Sequence, residues 1–184
     1  MQVKEIAALA AECLGRDDLA ALARTAKSEP RGELSSLLRC YNLVENEIAL
    51  DYIPLIEEER LQVVNGEVSF SRFRFSPVEI KRVTDENGIP VPFELLPDRL
   101  KVPERELFVT VRYPYSPPRK GWEEESAFDG KVSPRLMAQG IASEFCLSHG
   151  QFSEAAMWEK RYRESLRAAH IVRRTLFVRA RRWV

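Results

Sequence analysis

The spacing of hydrophobic residues changes twice along the chain. From residue 34 to residue 52, apolar side chains recur at steps of three and four, which predicts one amphipathic helix: Leu34, Leu37, Leu38, Tyr41, Val44, Ile48 and Tyr52. Pro54 disfavours helical geometry at Ile53, so the helix is predicted to end there. Two shorter helices, over residues 3–14 and 17–27, are predicted before it because alanine, leucine and glutamate dominate both stretches.

Between residues 57 and 115 the spacing becomes that of short strands. Asn65-Gly66 is the dipeptide best suited to a tight hairpin turn, so residues 60–64 and 67–73 are predicted to pair across it. Further strands are predicted over 77–83, 89–95, 100–102 and 107–113. Pro90 and Pro92 cannot donate to a ladder, which predicts that 89–95 lies at a sheet edge.

Helical spacing returns after a polar loop. Ser133 followed by Pro134 is a helix start, with serine as the N-cap and proline at the first helical position. This helix is predicted to end at His149-Gly150, and Ser153 is predicted to cap a last helix, so that the two form an antiparallel pair.

These elements predict an α+β fold: a helical bundle built from both chain ends, with a small antiparallel β module inserted. The predicted parts are a discontinuous helical body over 1–56 and 130–176, a β module over 57–115, a loop over 116–129 and a C-terminal arm over 177–184. A chain of 184 residues is long enough for one domain carrying such a module.

The formal net charge of zero hides an asymmetry. Residues 1–130 hold 17 basic and 24 acidic side chains, whereas residues 131–184 hold 11 basic and 4 acidic ones. An acidic front and a basic back favour head-to-tail packing between copies or docking on a charged partner. The alternative is a solvated helix rich in arginine.

Residue types that carry chemistry are sparse. No two of the 3 cysteines form a CxxC motif. Neither His149 nor His170 has a second metal ligand at a suitable spacing. Glu57-Glu58-Glu59 lies on an extended segment, where adjacent carboxylates point to different sides and are expected to be solvated. We therefore predict no catalytic residue, no metal and no cofactor. No apolar run approaches the ~20 residues that span a bilayer, and no secretion signal is present, so we expect no membrane contact.

Two regions carry candidate interface residues. Trp122 and Phe128, in the loop, are interpreted either as a lid over the β module or as an interface anchor. The C-terminal arm combines arginine with aromatic side chains, the types most enriched at interface hot spots, and its candidate docking residues are Arg173, Arg174, Phe177, Arg179, Arg181, Arg182 and Trp183. Docking into another subunit is the preferred interpretation, and a short strand folded back on its own sheet is the alternative.

Residues 37–55, LLRCYNLVENEIALDYIPL, lead into the β module, and SPRLMAQGIASEF at 133–145 is followed by a helix containing Trp158 and Tyr162. This layout, over residues 34–169, resembles the head-to-tail adaptor (connector) proteins of tailed bacteriophages and prophages. The resemblance implies a structural virion protein, assembled in the bacterial cytoplasm, that forms a ring, usually dodecameric, between the portal protein and the tail. It also implies that the C-terminal arm embeds in the portal.

Two other functions remain open at this point. A nucleic-acid-binding accessory protein would use the same arm, because 9 of the last 25 residues are basic and aromatics lie among them. A small enzyme would need a deep pocket with convergent polar groups between the β module and the helices.

Overall fold

The computed structural model describes residues 1–26, 30–128, 130, 132–169 and 171. Its helices and two small antiparallel sheets confirm the α+β class. The third helix, α3 (Glu33–Glu47), continues without a break into a π-helix at Ile48–Tyr52. The helical run ends at Ile53, whose backbone is extended, as the proline at position 54 predicted. The α-helices are α1 (Val3–Cys13), α2 (Asp17–Thr25), α3 (Glu33–Glu47), α4 (Pro134–Ser148) and α5 (Phe152–Ala168).

The strands form two three-stranded sheets, with the orders β1-β6-β3 and β2-β5-β4. Every pairing in them is antiparallel. The strand bounds are β1 (Leu55–Gln62), β2 (Glu67–Ser69), β3 (Arg82–Thr84), β4 (Glu94–Leu95), β5 (Arg99–Lys101) and β6 (Phe108–Tyr115).

The predicted hairpin around Asn65-Gly66 is only partly correct. Both turn residues have positive φ, 53° and 73°, as the tight turn requires. The flanking residues, however, meet only in an isolated bridge between Val64 and Glu67. β1 instead pairs with β6 along its whole length, because β6 is a partner of equal length whose Val109, Val111 and Tyr113 form a buried face.

Proline shortens the predicted strand over 89–95. Only Glu94–Leu95 form a strand, β4, and it lies at the edge of its sheet as the prolines predicted. Pro90 pairs with Thr84 only in an isolated β-bridge, which does not extend into a strand. The strand predicted over 77–83 is likewise reduced to β3, with Pro77 forming a separate bridge to Tyr115.

Both chain ends contribute to one hydrophobic core. Ile6 of α1, Leu37 and Val44 of α3, Ile141 of α4 and Leu166 of α5 are all buried in it. A second core fills the β module. None of the described helices is long and apolar enough to cross a membrane.

The two helix starts predicted near the C-terminus differ in outcome. Ser133 caps α4 as predicted, because its Oγ accepts the backbone N–H of Leu136 at 3.1 Å. Ser153 is not the cap of α5, since that helix begins one residue earlier, at Phe152, with Gln151 before it. Serine inside the first turn satisfies no terminal N–H here, so the prediction at Ser153 is wrong.

Gly140 allows α3, α4 and α5 to meet closely. A Cβ at this position would lie 3.0 Å from Val44 Cγ1 and 3.2 Å from Tyr162 Cε2.

We expect Gly140→Val to lower the free energy of unfolding by about 1–3 kcal/mol, because the extra atoms overfill a packed contact. Urea unfolding measures this loss. The control is Ala156→Val on the exposed side of α5, for which helix propensity alone predicts about 0.5 kcal/mol. Equal losses in the two variants would contradict close packing at Gly140.

Candidate functional site

The docking residues predicted in the C-terminal arm, from Arg173 to Trp183, lie outside the described residues. The last described residue before them is Ile171. Its side chain is buried in the helical core, and its backbone N–H donates to Leu166 O at 2.9 Å. The arm therefore starts from a residue that is anchored to the helical body.

Trp122 and Phe128 are core residues. Their exposed fractions are 4% and 1%, and both pack in the helical core, away from the core of the β module. The indole N–H of Trp122 donates to the backbone oxygen of Ala23 at 3.2 Å, which satisfies its one polar group inside the protein. Neither earlier interpretation holds, because the side chains neither cover the β module nor offer a free surface to a partner.

Two asparagines of α3 hold the chain where it leaves the β module. The Asn42 side chain accepts from Lys120 N at 2.6 Å and donates to Lys120 O at 3.1 Å, so that its amide pairs with that residue's backbone as a neighbouring strand would. The Ser116 hydroxyl donates to Asn46 Oδ1. These bonds lay residues 116–120 along α3 and fix the direction in which the β module leaves the helical body.

Glu45 holds the next part of the same segment. It is 1% exposed, and its Oε1 accepts from Tyr41 Oη at 2.6 Å, from Ser126 Oγ at 3.1 Å and from Ala127 N at 2.8 Å. Among the described residues its second oxygen, Oε2, has no hydrogen-bond partner. A buried carboxylate is stable only where the fold places hydrogen-bond donors beside it. The bonds to Glu45 therefore hold residues 126–127 against α3.

A cleft of about 550 Å³ lies between α3 and residues 116–120. Its walls include Asn42, Asn46 and Ser116, whose polar groups bond to one another or to the backbone. Arg39 and Arg119 add positive charge at its exposed side. Because the Asn42 amide and the Ser116 hydroxyl are already paired, this arrangement positions the segment.

The described residues offer little for nucleophilic or metal chemistry. Burial raises the pKa of Cys40 to about 11 and also raises the pKa values of Cys13 and Cys146. Thiols with raised pKa values are poor nucleophiles at neutral pH. Within the described ranges, no three His, Cys, Asp or Glu side chains are grouped as metal ligands would be.

An acidic cluster lies where α3, α4 and α5 meet. Burial raises the pKa of Glu47, and the nearby carboxylates of Glu159, Asp51 and Glu144 raise it further. Burial and Glu159 likewise raise the pKa of Glu144. Arg163 pairs with Glu159 at 2.5 Å and partly offsets the repulsion.

The three consecutive glutamates of β1 divide between the two faces of the strand, as expected. Glu59 is not solvated, however, because it accepts the hydroxyl of Tyr113 and the backbone N–H of Arg74 at 3.1 Å. Glu57 lies 3.7 Å from Arg74 on the same face, whereas Glu58 is exposed on the other. The structure thus corrects the expectation of solvation for Glu59 and leaves Glu58 on the open face of the strand.

Comparison with known proteins identifies no relative. No protein-family model matches the chain, and no curated protein matches it.

Sequence reasoning missed Glu45 and Asn42. A signal was available for Glu45, which follows Tyr41 by four residues and sits beside the apolar stripe of α3, a position that a carboxylate occupies only with a partner. Asn42 offered no such signal, because its partner is a backbone group 78 positions away in the chain.

We expect Glu45→Ala to lower the free energy of unfolding by about 2–4 kcal/mol, because it leaves the buried Tyr41 hydroxyl and the Ala127 N–H without their carboxylate acceptor. Denaturant unfolding measures the loss. Arg39→Ala, on the exposed side of the same helix, is the control and should cost less than about 0.5 kcal/mol. A loss for Glu45→Ala no greater than the control's would show that the segment is held by other contacts.

The raised pKa of Glu47 predicts a pH-dependent stability. Below the pKa of the unfolded chain both states are protonated and the favourable contribution is complete; it is lost as the pH rises through the higher pKa of the folded state. Glu47→Gln should therefore leave stability unchanged near pH 4 and increase it at pH 7. Melting temperatures across this range test the prediction, with the exposed Glu104→Gln as the control. A gain that is the same at both pH values would contradict it.

Proposed function

We propose that this protein is a non-enzymatic neck component of a tailed phage or prophage. In this role it forms an oligomeric ring between the portal protein and the tail, and it belongs to the virion after assembly in the bacterial cytoplasm. Its partners are the portal, the tail or neck proteins, and further copies of itself. The observation that carries the proposal is the layout: a β module inserted into a helical body that both chain ends build, followed by a basic arm beyond that body.

The connection between module and body supports this role. A ring component must present its contact surfaces at a defined angle to its neighbours. The bonds of Asn42 and Asn46 to residues 116–120, together with those of Glu45 to residues 126–127, hold the returning chain on α3 at these two places. The module is thereby attached to the helical body through its returning chain as well as through α3.

The arm supports the docking part of the proposal by its chemistry. Arginine binds carboxylates in a fixed bidentate geometry, and tryptophan provides a large apolar contact. Residues 172–184 could extend about 40 Å if fully stretched, at ~3.3 Å per residue. That reach is sufficient to enter a neighbouring subunit while Ile171 stays in the core.

The uneven charge supports self-association. Residues 1–130 carry a net charge of −7 and residues 131–184 a net charge of +7. In a ring, each subunit gives one surface and receives a different one. Contact between the oppositely charged segments of neighbouring copies favours that arrangement over pairing of like segments.

The runner-up is a nucleic-acid-binding accessory protein, which the 9 basic residues among the last 25 favour. Phosphate contacts make binding fall steeply with salt, with a slope of about −0.9 in log K per contact on duplex DNA. Binding of the isolated protein to duplex DNA with a slope of several units would favour this function over the neck role. Shallow or absent binding would favour the neck role.

We expect deletion of residues 176–184 to leave a folded protein and to abolish docking on the portal protein of the same phage or prophage. The reason is that the described core is built from earlier residues, whereas residues 176–184 supply Arg179, Arg181, Arg182 and Trp183 of the proposed contact. Co-sedimentation with the purified portal ring measures docking, and circular dichroism checks the fold.

A matched pair of full-length variants separates side-chain geometry from charge. Replacing Arg179, Arg181 and Arg182 with lysine keeps the charge but removes the bidentate contacts, and replacing them with alanine removes both. The expected order of docking is wild type, then lysine, then alanine. Unchanged docking by the truncated protein, or a gene neighbourhood without portal, capsid and tail genes, would overturn the proposal.

A further inference from the structure

β1 is an edge strand with a free side. It pairs with β6 on one side, and no described strand pairs with the other. The backbone N–H of Val63, just beyond β1, donates to Leu107 O at 2.9 Å, towards the β6 side. Because backbone groups alternate in direction along an antiparallel strand, the odd-numbered residues of β1 face β6 and the even-numbered residues face outwards.

Three residues of this edge have unused backbone groups. Arg72 Nη1 donates to Gln62 O at 3.3 Å, which closes the last position of the edge and confirms that even-numbered carbonyls point outwards. Among the described residues, the outward N–H and C=O groups of Ile56, Glu58 and Arg60 have no hydrogen-bond partner. Open strand edges of this length normally pair or are blocked.

The side chains along the edge indicate what would pair with it. Ile56 and Glu58 are exposed, whereas Glu57 and Glu59, on the opposite face, are already engaged by Arg74 and Tyr113. Arg60 is also occupied, since it pairs with Glu86 and its guanidinium lies 4.3 Å from the centre of the Phe108 ring. The free part of the edge therefore offers the carboxylate of Glu58 beside the apolar Ile56, and it suits an extended segment that is both basic and apolar.

The chain contains such a segment outside the described residues. Residues 175–178, Thr-Leu-Phe-Val, are strong strand formers. Arginines flank them on both sides, at Arg173 and Arg174 before and at Arg179, Arg181 and Arg182 after. The segment begins next to Ile171, which packs in the same core that Leu55, the first residue of β1, contacts.

Resting on the proposed ring, we infer that residues 172–184 of one copy add as a strand to the free edge of β1 in the next copy. Backbone bonds to Ile56, Glu58 and Arg60 fix the added strand, and its arginines lie beside Glu58. This names a second copy of the chain as the receiver of the arm, and docking on the portal then depends on the ring that these contacts build. The contact is head-to-tail, because each subunit gives an arm and receives one, which is the arrangement that closes a ring.

The test uses the full chain with p-benzoylphenylalanine in place of Phe177, mixed with an excess of ¹⁵N-labelled chain that lacks the photoreactive residue. After irradiation, mass spectrometry identifies the cross-linked peptides. We expect cross-links to the peptide containing residues 55–62, with the labelled form in proportion to its share of the mixture.

A matched pair of variants in the labelled chain tests the backbone contact. Proline at position 58 removes an outward N–H while leaving the ladder to β6 intact, so Glu58→Pro should lower the cross-linking yield about tenfold. Glu58→Ala keeps the backbone donor and should stay within about twofold of the parent chain. Hydrogen exchange on the unmodified full chain gives an independent measurement, since the amides of Ile56, Glu58 and Arg60 should exchange more slowly as the concentration rises.

Each other result overturns the inference. Cross-links confined to the unlabelled chain would place the arm on its own β1 edge, and cross-links to another surface would exclude the edge altogether. Exchange at β1 that is independent of concentration would also contradict it. An arm that docks on the portal without homotypic cross-links would contradict this inference and leave the proposed function standing. Edge pairing without portal docking would support this inference and contradict the proposed function.

Discussion

The architecture depends on the hold that α3 has on the chain returning from the β module. Residues 55–115 form an excursion between two helical segments that must still share one core. The buried carboxylate of Glu45 and the amide of Asn42 secure the returning chain through backbone groups at Ala127 and Lys120. Trp122, between those two points, and Phe128, directly after them, then close the core. Without this hold, the loss of chain entropy on bringing the distant halves together would be offset by apolar contacts alone.

Local signals predicted the elements well wherever a single residue type decides the backbone. Pro54 ended the long helix, Ser133 and Pro134 began α4, and the turn at Asn65-Gly66 has the positive φ values that its sequence requires. Strand pairing was harder, because the partner of a strand depends on distant residues. The match between β1 and β6, which are 46 positions apart at their facing ends, has no local signature.

The candidate site shows the same contrast between features that local sequence predicts and features that depend on distant residues. Aromatic side chains in a polar loop suggested an interface, but Trp122 and Phe128 are drawn inwards because a core assembled from both chain ends has room for them. The anchoring role of Asn42 depends on a backbone group far away in the chain, so no pattern along the sequence could predict it. The docking role of the arm's arginines was predicted from composition alone and stays a prediction, because these residues lie outside the described ranges.

The π-helix at the end of α3 has a consequence for the direction of the β module. Its wider turn ends in a bond from Ile53 N to Ile48 O, 2.7 Å long, five residues back along the chain. An α-helix rotates by about 100° per residue, so one residue accommodated in a wide turn changes the angular phase of everything that follows. The number of residues in the π-helix therefore sets the direction, around the axis of α3, in which β1 leaves the helix. A lineage could re-aim the whole module by gaining or losing one residue here.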